Sequence, residues 1–124
     1  MPNSPIVLDA SVVVKWFHEE SDTKQAEKLQ ERIIRGEVWA IMPPLLFYEV
    51  ANALTLKSGS EVEEILATYF ILKQMPFQIV EVIHSILEDA IRLAHRHDIS
   101  VYDAIYVALA YLAEATLITA DKKL

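Results

Sequence analysis

Residues 100–119, "SVYDAIYVALAYLAEATLIT", decide the fold. Read at helical spacing, 101–113 is apolar nearly all the way round, because Ile105, Val107, Ala108 and Leu109 point in different directions. A helix of that kind is covered on most sides. It leads into "ATLIT", a short β-favouring run whose apolar residues follow one another. Such a strand suits a parallel sheet buried between layers of helices.

The same alternation continues outward from there. "PIVLDAS" (5–11) is an apolar strand that stops at an acid, and "SVVVKWFHEE" (11–20) fits either more strand or a short helix. Residues 22–35 are helical: Asp22 and Gln25 have capping-box spacing, Ala26, Leu29 and Ile33 share a face, and Gly36 supplies the stop. "VWAIM" (38–42) is a second strand, and Pro43–Pro44 opens a helix reaching about Lys57. Ser58, Gly59 and Ser60 break it. Ser60 and Glu63 form another capping-box pair, and Ile65, Leu66, Tyr69 and Leu72 give the next helix its apolar face. "FQIVEV" (77–82) is a third strand. A helix over about 84–97 follows, with Ile86, Leu87, Ala90, Leu93 and Ala94 on one side. Neither repeat nor linker interrupts the series, so a three-layered α/β fold and a single domain over 1–124 are expected.

Composition narrows the chemistry. The chain has 124 residues, 53% of them apolar and 23% charged, which argues against disorder. It has no cysteine, so a disulfide, a zinc–thiolate site and a cysteine nucleophile are excluded. Any metal must be held by oxygen or imidazole. No basic segment precedes the first apolar run, which does not read as a signal peptide. The longest apolar reach, "AIMPPLLFYEVANALTL" (40–56), holds two prolines and Glu49 and is a poor membrane span. A cytoplasmic protein is expected. The net charge of −7 gives no field to attract nucleic acid, so work on nucleic acid would need a local device such as a bound cation.

Asp103 poses the chemical question. Its nearest basic residue in sequence is Arg96, yet it begins a helix that is otherwise apolar. A buried carboxylate costs several kcal/mol, on the order of a desolvated ion, unless something pairs with it. Three more acids occupy comparable places. Asp9 ends the first strand, Asp121 follows the fourth, and Glu49 lies within an apolar helix after the second. Parallel sheets build sites at the carboxyl ends of their strands, so the four can meet at one edge. At ~4 Å and an effective dielectric of about 20, each like-charged pair costs on the order of 4 kcal/mol. A divalent cation reverses that sign, and hard oxygen donors favour Mg²⁺ or Mn²⁺.

Each acid also has an ordinary reading. Asp9 can cap the helix after it, Glu49 can reach solvent, Asp121 can be a turn acid, and Asp103 stands three residues after Ser100 at capping-box spacing. Other candidates are weaker. His95 and His97 are two apart and do not share a helical face, and His18 and His84 read as surface residues. Two glycines leave no phosphate loop. Trp16 and Trp39 read as core, and Lys15, Lys122 and Lys123 as a solvated face or phosphate contacts.

"IVLDASVVVKWF", "PPLLFYEVANAL", "SVYDAIYVALA" and "LITADKKL" resemble, in order, the four acidic motifs of PIN-domain ribonucleases, most of all the VapC-like toxins of toxin–antitoxin pairs. The resemblance implies a PIN-like three-layer fold with a central parallel sheet of about four to five strands. It implies an Mg²⁺- or Mn²⁺-dependent endoribonuclease acting on RNA, with Asp9, Glu49, Asp103 and Asp121 as the catalytic and metal-holding acids. Ser11 and Thr119 match hydroxyls beside the site. It further implies a homodimer and an antitoxin whose basic segment enters the acidic pocket. Relatives commonly continue past the last motif, where this sequence reaches Leu124. Two alternatives stand beside this: a catalytically silent PIN-like binding module, and a receiver-type signalling domain. The second fits poorly, since Asp9 has no acidic neighbour and "FQIVEV" offers no Asp.

Overall fold

A computed structural model of the chain describes residues 4–17, 23–57 and 59–121. In chain order these form β1 (Ile6–Leu8), α1 (Ala10–Val14), α2 (Thr23–Ile34), β2 (Ile41–Met42), α3 (Leu45–Leu56), α4 (Val62–Lys73), β3 (Gln78–Ile79), α5 (His84–His97), α6 (Val101–Leu112) and β4 (Thr116–Ile118). The ambiguous stretch after β1 is therefore helical. The Asp22 capping position, His18, Ser58, Lys122 and Lys123 lie outside the described residues.

The strands are parallel throughout. β1 pairs with β4, placing Leu8 opposite Ile118, and β2 pairs with β3, placing Met42 opposite Ile79. A parallel bridge between Ile6 and Ala40, with the Ile6 N–H donating to the Trp39 carbonyl at 2.8 Å, joins the two pairs. The spatial order is thus β3-β2-β1-β4. Helix α6 packs on β1 and β4 with α5 against it, and α3 packs on α1 and α4. This is an α/β arrangement of parallel strands flanked by helices, as expected.

Two hydrophobic clusters hold it. The larger gathers Val7, Leu8, Val13, Met42, Leu46, Val50 and Leu72 with Tyr106, Leu109 and Ala110 of α6. The smaller joins Ile86, Ala90 and Ala94 of α5 to Ala104, Ile105 and Ala108 of α6. One helix thus supplies both, which is why 101–113 reads as apolar all round.

Three helices stop in the same way. After α2 the Gly36 N–H returns to the Ile33 carbonyl and the Glu37 N–H to Arg32, with Gly36 at φ 75°, where a side chain would be strained. Asp98 after α5 and Glu114 after α6 take the same left-handed step at φ 54° and 52°. The next N–H groups, of Ile99 and Ala115, bond back to Ala94 and Ala110.

Three local expectations change. The second and third strands pair over two residues each, shorter than their apolar runs. Pro43 directly follows Met42, and proline has no N–H for a ladder. Both β3 residues are exposed, as suits an edge strand with one partner. The Ser60–Glu63 capping box does not form: Glu61 is extended, α4 starts after it, and the Glu64 and Ile65 N–H groups bond to the Glu61 carbonyl. Leu66 is correspondingly exposed, while Leu72 and, in part, Ile65 and Tyr69 face the core. Among the described residues no helix is long and apolar enough to cross a membrane.

Candidate active site at the carboxyl end of the sheet

The parallel register of β1 and β4 builds the first part of the site. Since Leu8 lies opposite Ile118, the next residues, Asp9 and Thr119, leave the sheet side by side. Asp9 is only 3% exposed, the one buried charged side chain among the described residues. It caps α1, its Oδ1 accepting the Ser11 N–H at 3.1 Å and the Ser11 hydroxyl as well. The Thr119 hydroxyl donates to its Oδ2. Those hydroxyls also serve as acceptors: Ser11 Oγ takes the Ala120 N–H at 3.0 Å and Thr119 Oγ1 takes the Asp121 N–H at 2.9 Å. One network therefore ties Asp9 to the segment carrying Asp121. The cap and the site are the same carboxylate.

Helices α3 and α6 supply the second part. Glu49, half-buried in α3, accepts the Tyr106 hydroxyl on Oε1 at 2.6 Å. Burial raises its pKa above the usual carboxylate value; the Tyr106 hydrogen bond opposes this, and the charges of Asp103 and Asp9 add to the rise. Glu49 thus feels the charges of two acids brought to it from other parts of the chain. Asp103 sits half-buried in the first turn of α6, where Ser100 Oγ accepts its backbone N–H at 3.0 Å. Its helix-start reading holds together with its place near Glu49. The Tyr106 hydroxyl is held far above its ordinary pKa by burial and by Glu49, and stays protonated to donate.

A cleft of about 380 Å³ opens beside this group, lined by Ala10, Ser11, Val14, Lys15, Glu49, Ala53 and Ala120. Lys15, Asp103 and Asp121 are each engaged by neighbours. His84, His95 and His97 are all exposed. Trp16 is core, stacked on Phe77 with its indole N–H donating to the Ala26 carbonyl at 2.8 Å, and Trp39 donates to Gln78 at 2.7 Å.

The donor set suits a hard divalent cation in kind and charge: the like charges that help raise the Glu49 pKa are the surroundings such an ion relieves. It is not already closed as a ligand shell. Among the described residues no three His, Cys, Asp or Glu side chains converge to hold a metal; Asp9 is bonded to hydroxyls and Glu49 to Tyr106.

Sequence reasoning missed Tyr106, counted there among the apolar residues of its helix. The available signal was its spacing: three after Asp103, it shares that acid's helical face.

Comparison with known proteins agrees with this fold. The family model described as PIN domain matches residues 6–124. Ribonuclease VapC3 of Pyrobaculum aerophilum is 32% identical over 132 residues, covering 96% of this chain and 91% of its own. Among solved structures, the sarcin–ricin loop cleaving toxin VapC20 of Mycobacterium tuberculosis superposes with a TM-score of 0.76 at 15% identity, covering 94% of this chain and 90% of the other. A toxin–antitoxin complex from Klebsiella pneumoniae gives 0.69 at 21% identity, covering 95% and 88%. The last two show likeness of fold. The receiver-type alternative is set aside, and a match running from the first strand to the last residue leaves one conclusion: the chain belongs to the PIN domain family.

Proposed function

We propose that the chain is an Mg²⁺- or Mn²⁺-dependent endoribonuclease that hydrolyses RNA phosphodiester bonds, and the toxin of a toxin–antitoxin pair. The observation that carries this reading is the buried carboxylate of Asp9 at the carboxyl end of a parallel sheet, with the charges of Asp9 and Asp103 reaching Glu49. The 32% identity to a ribonuclease supports it.

Asp9, Glu49, Asp103 and Asp121 would hold the cation, which when bound activates water and neutralises charge on the phosphate under attack. The chain's own part is orientation. Ser11 and Thr119 fix the Asp9 carboxylate from two sides, and Ser100 fixes the first turn that carries Asp103. The cleft beside Glu49 gives RNA a way in, with Lys15 on its wall to meet a phosphate. In this reading the protein is cytoplasmic and homodimeric. An antitoxin silences it by placing an Arg- or Lys-bearing segment among the acids, where a guanidinium binds carboxylates bidentately. The toxin–antitoxin complex among the structural neighbours supports such a partner.

A silent binding module is the second reading, favoured by the hydroxyl-bound state of Asp9 and Glu49 and the open ligand shell. One assay separates the two. Purified protein is incubated with short structured RNAs in Mg²⁺, Mn²⁺ or EDTA. Internal cleavage with either metal, lost in EDTA and lowered by orders of magnitude in Asp9→Asn, is expected. No cleavage under any condition, or full activity in EDTA, overturns the enzymatic reading.

A further inference from the structure

We infer that Tyr106 is a positioning residue: its hydroxyl holds Oε1 of Glu49 and so fixes the orientation in which this acid would meet a divalent cation. The inference rests on the proposed metal-dependent reading and deepens it. Tyr106 is 1% exposed, locked in the larger core, and its hydroxyl donates to Oε1 at 2.6 Å. The two residues stand 57 apart in sequence, on α6 and α3, so the bond fixes one helix's acid with the other helix's core. Asp103 lies one turn before Tyr106 on that same helix, and its charge reaches Glu49. Helix α6 thus brings both a like-charged neighbour and the hydroxyl that restrains Glu49 beside it. A Glu side chain has three rotatable bonds, and a carboxylate beside two others turns away from them unless something holds it. With one lone pair of Oε1 taken by the Tyr106 hydroxyl, Glu49 is held in one orientation toward the acids beside it.

Hydrogen-bond partners of metal-binding carboxylates tune affinity by about 10–100-fold. Mn²⁺ binding to metal-free protein, followed by calorimetry and by the spin-resonance signal of free Mn²⁺, tests the assignment. Tyr106→Phe keeps the ring and removes only the hydroxyl; it should weaken Mn²⁺ about tenfold. Glu49→Gln should weaken it as well. Adding Tyr106→Phe to Glu49→Gln should change nothing further, because the hydroxyl acts only through that carboxylate. Replacing Tyr106 by para-aminophenylalanine, which keeps a ring-borne donor, should restore affinity to within about twofold; this variant decides the matter should the Phe variant not fold.

Three results would overturn the inference. They are wild-type affinity in Tyr106→Phe, a tenfold loss that persists on the Glu49→Gln background, and failure of the amino variant to restore binding. Absence of Mn²⁺ binding by the wild type would remove the metal-dependent reading and this inference together, which separates that failure from the other three.

Discussion

Asp9 and Thr119 leave two parallel strands in register, one residue past the Leu8–Ile118 pair, and the threonine hydroxyl donates to the aspartate carboxylate. Strand pairing itself therefore sets where the buried acid points. Thr119→Val keeps the shape and removes the donor, leaving one carboxylate oxygen without this bond. It should destabilise the metal-free protein by about 1–3 kcal/mol in urea melts and lower RNA cleavage with it. Unchanged stability would mean the carboxylate finds another donor.

Glu49 sets a pH dependence. Its folded pKa is raised, so its contribution is fully present below the unfolded value of about 4.3 and is lost as pH rises through the folded value. Glu49→Gln carries no such charge. In EDTA, the stability of wild type relative to Glu49→Gln should therefore fall across that window and level off above it. Melts of both proteins at a series of pH values measure this difference, with titrating groups remote from Glu49 cancelling.

Two substitutions should move the Glu49 titration in opposite directions. Asp103→Asn removes a like charge and should bring it down toward the ordinary range, while Tyr106→Phe removes the bond that opposes the rise and should push it further up. Carbon NMR of the Glu49 carboxyl in metal-free protein reads both. Shifts of the same sign would mean that burial changes dominate.

Added Mg²⁺ should stabilise the wild type by ligand linkage, about 2.7 kcal/mol at a hundredfold excess over Kd, and Asp9→Asn by much less. Thermal melts over an Mg²⁺ series provide the comparison. Equal stabilisation of both proteins would place the ion away from Asp9.

Glu114 takes a left-handed turn that glycine occupies after α2, at φ 52°. Glu114→Gly should stabilise the protein by about 0.5–1 kcal/mol, relief of the Cβ clash outweighing the added freedom of the unfolded chain. Urea melts should show the gain with cleavage unaltered.

The sequence made the architecture legible where burial is two-sided. β1 and α6 carry continuous apolar residues because they are covered on most sides, and the helix period of α5 matches the side it turns to α6. It was least legible at β2 and β3, where apolar runs outlast the pairing, since how far a strand is bonded depends on its neighbour rather than on its own residues. The acids show a different limit. Spacing posed capping and chemistry as rivals for Asp9 and Asp103, whereas the fold gives Asp9 both the cap and the buried network, and gives Asp103 a capped N–H together with a charge that acts on Glu49. Tyr106 was hidden because a buried tyrosine and a buried phenylalanine look alike until the partner of the hydroxyl is known.

Helix α6 belongs to two cores at once, one shared with the sheet and one with α5. Amides in the middle of α6 should therefore exchange with solvent only when both give way, among the slower opening events. α5 is held through a single face, with Ile91 on the other side 52% exposed, and it can lift away while α6 stays seated. Asp103 and Tyr106 ride on the helix that stays. Loosening of α5 alone would thus leave the acidic end of the sheet with its geometry.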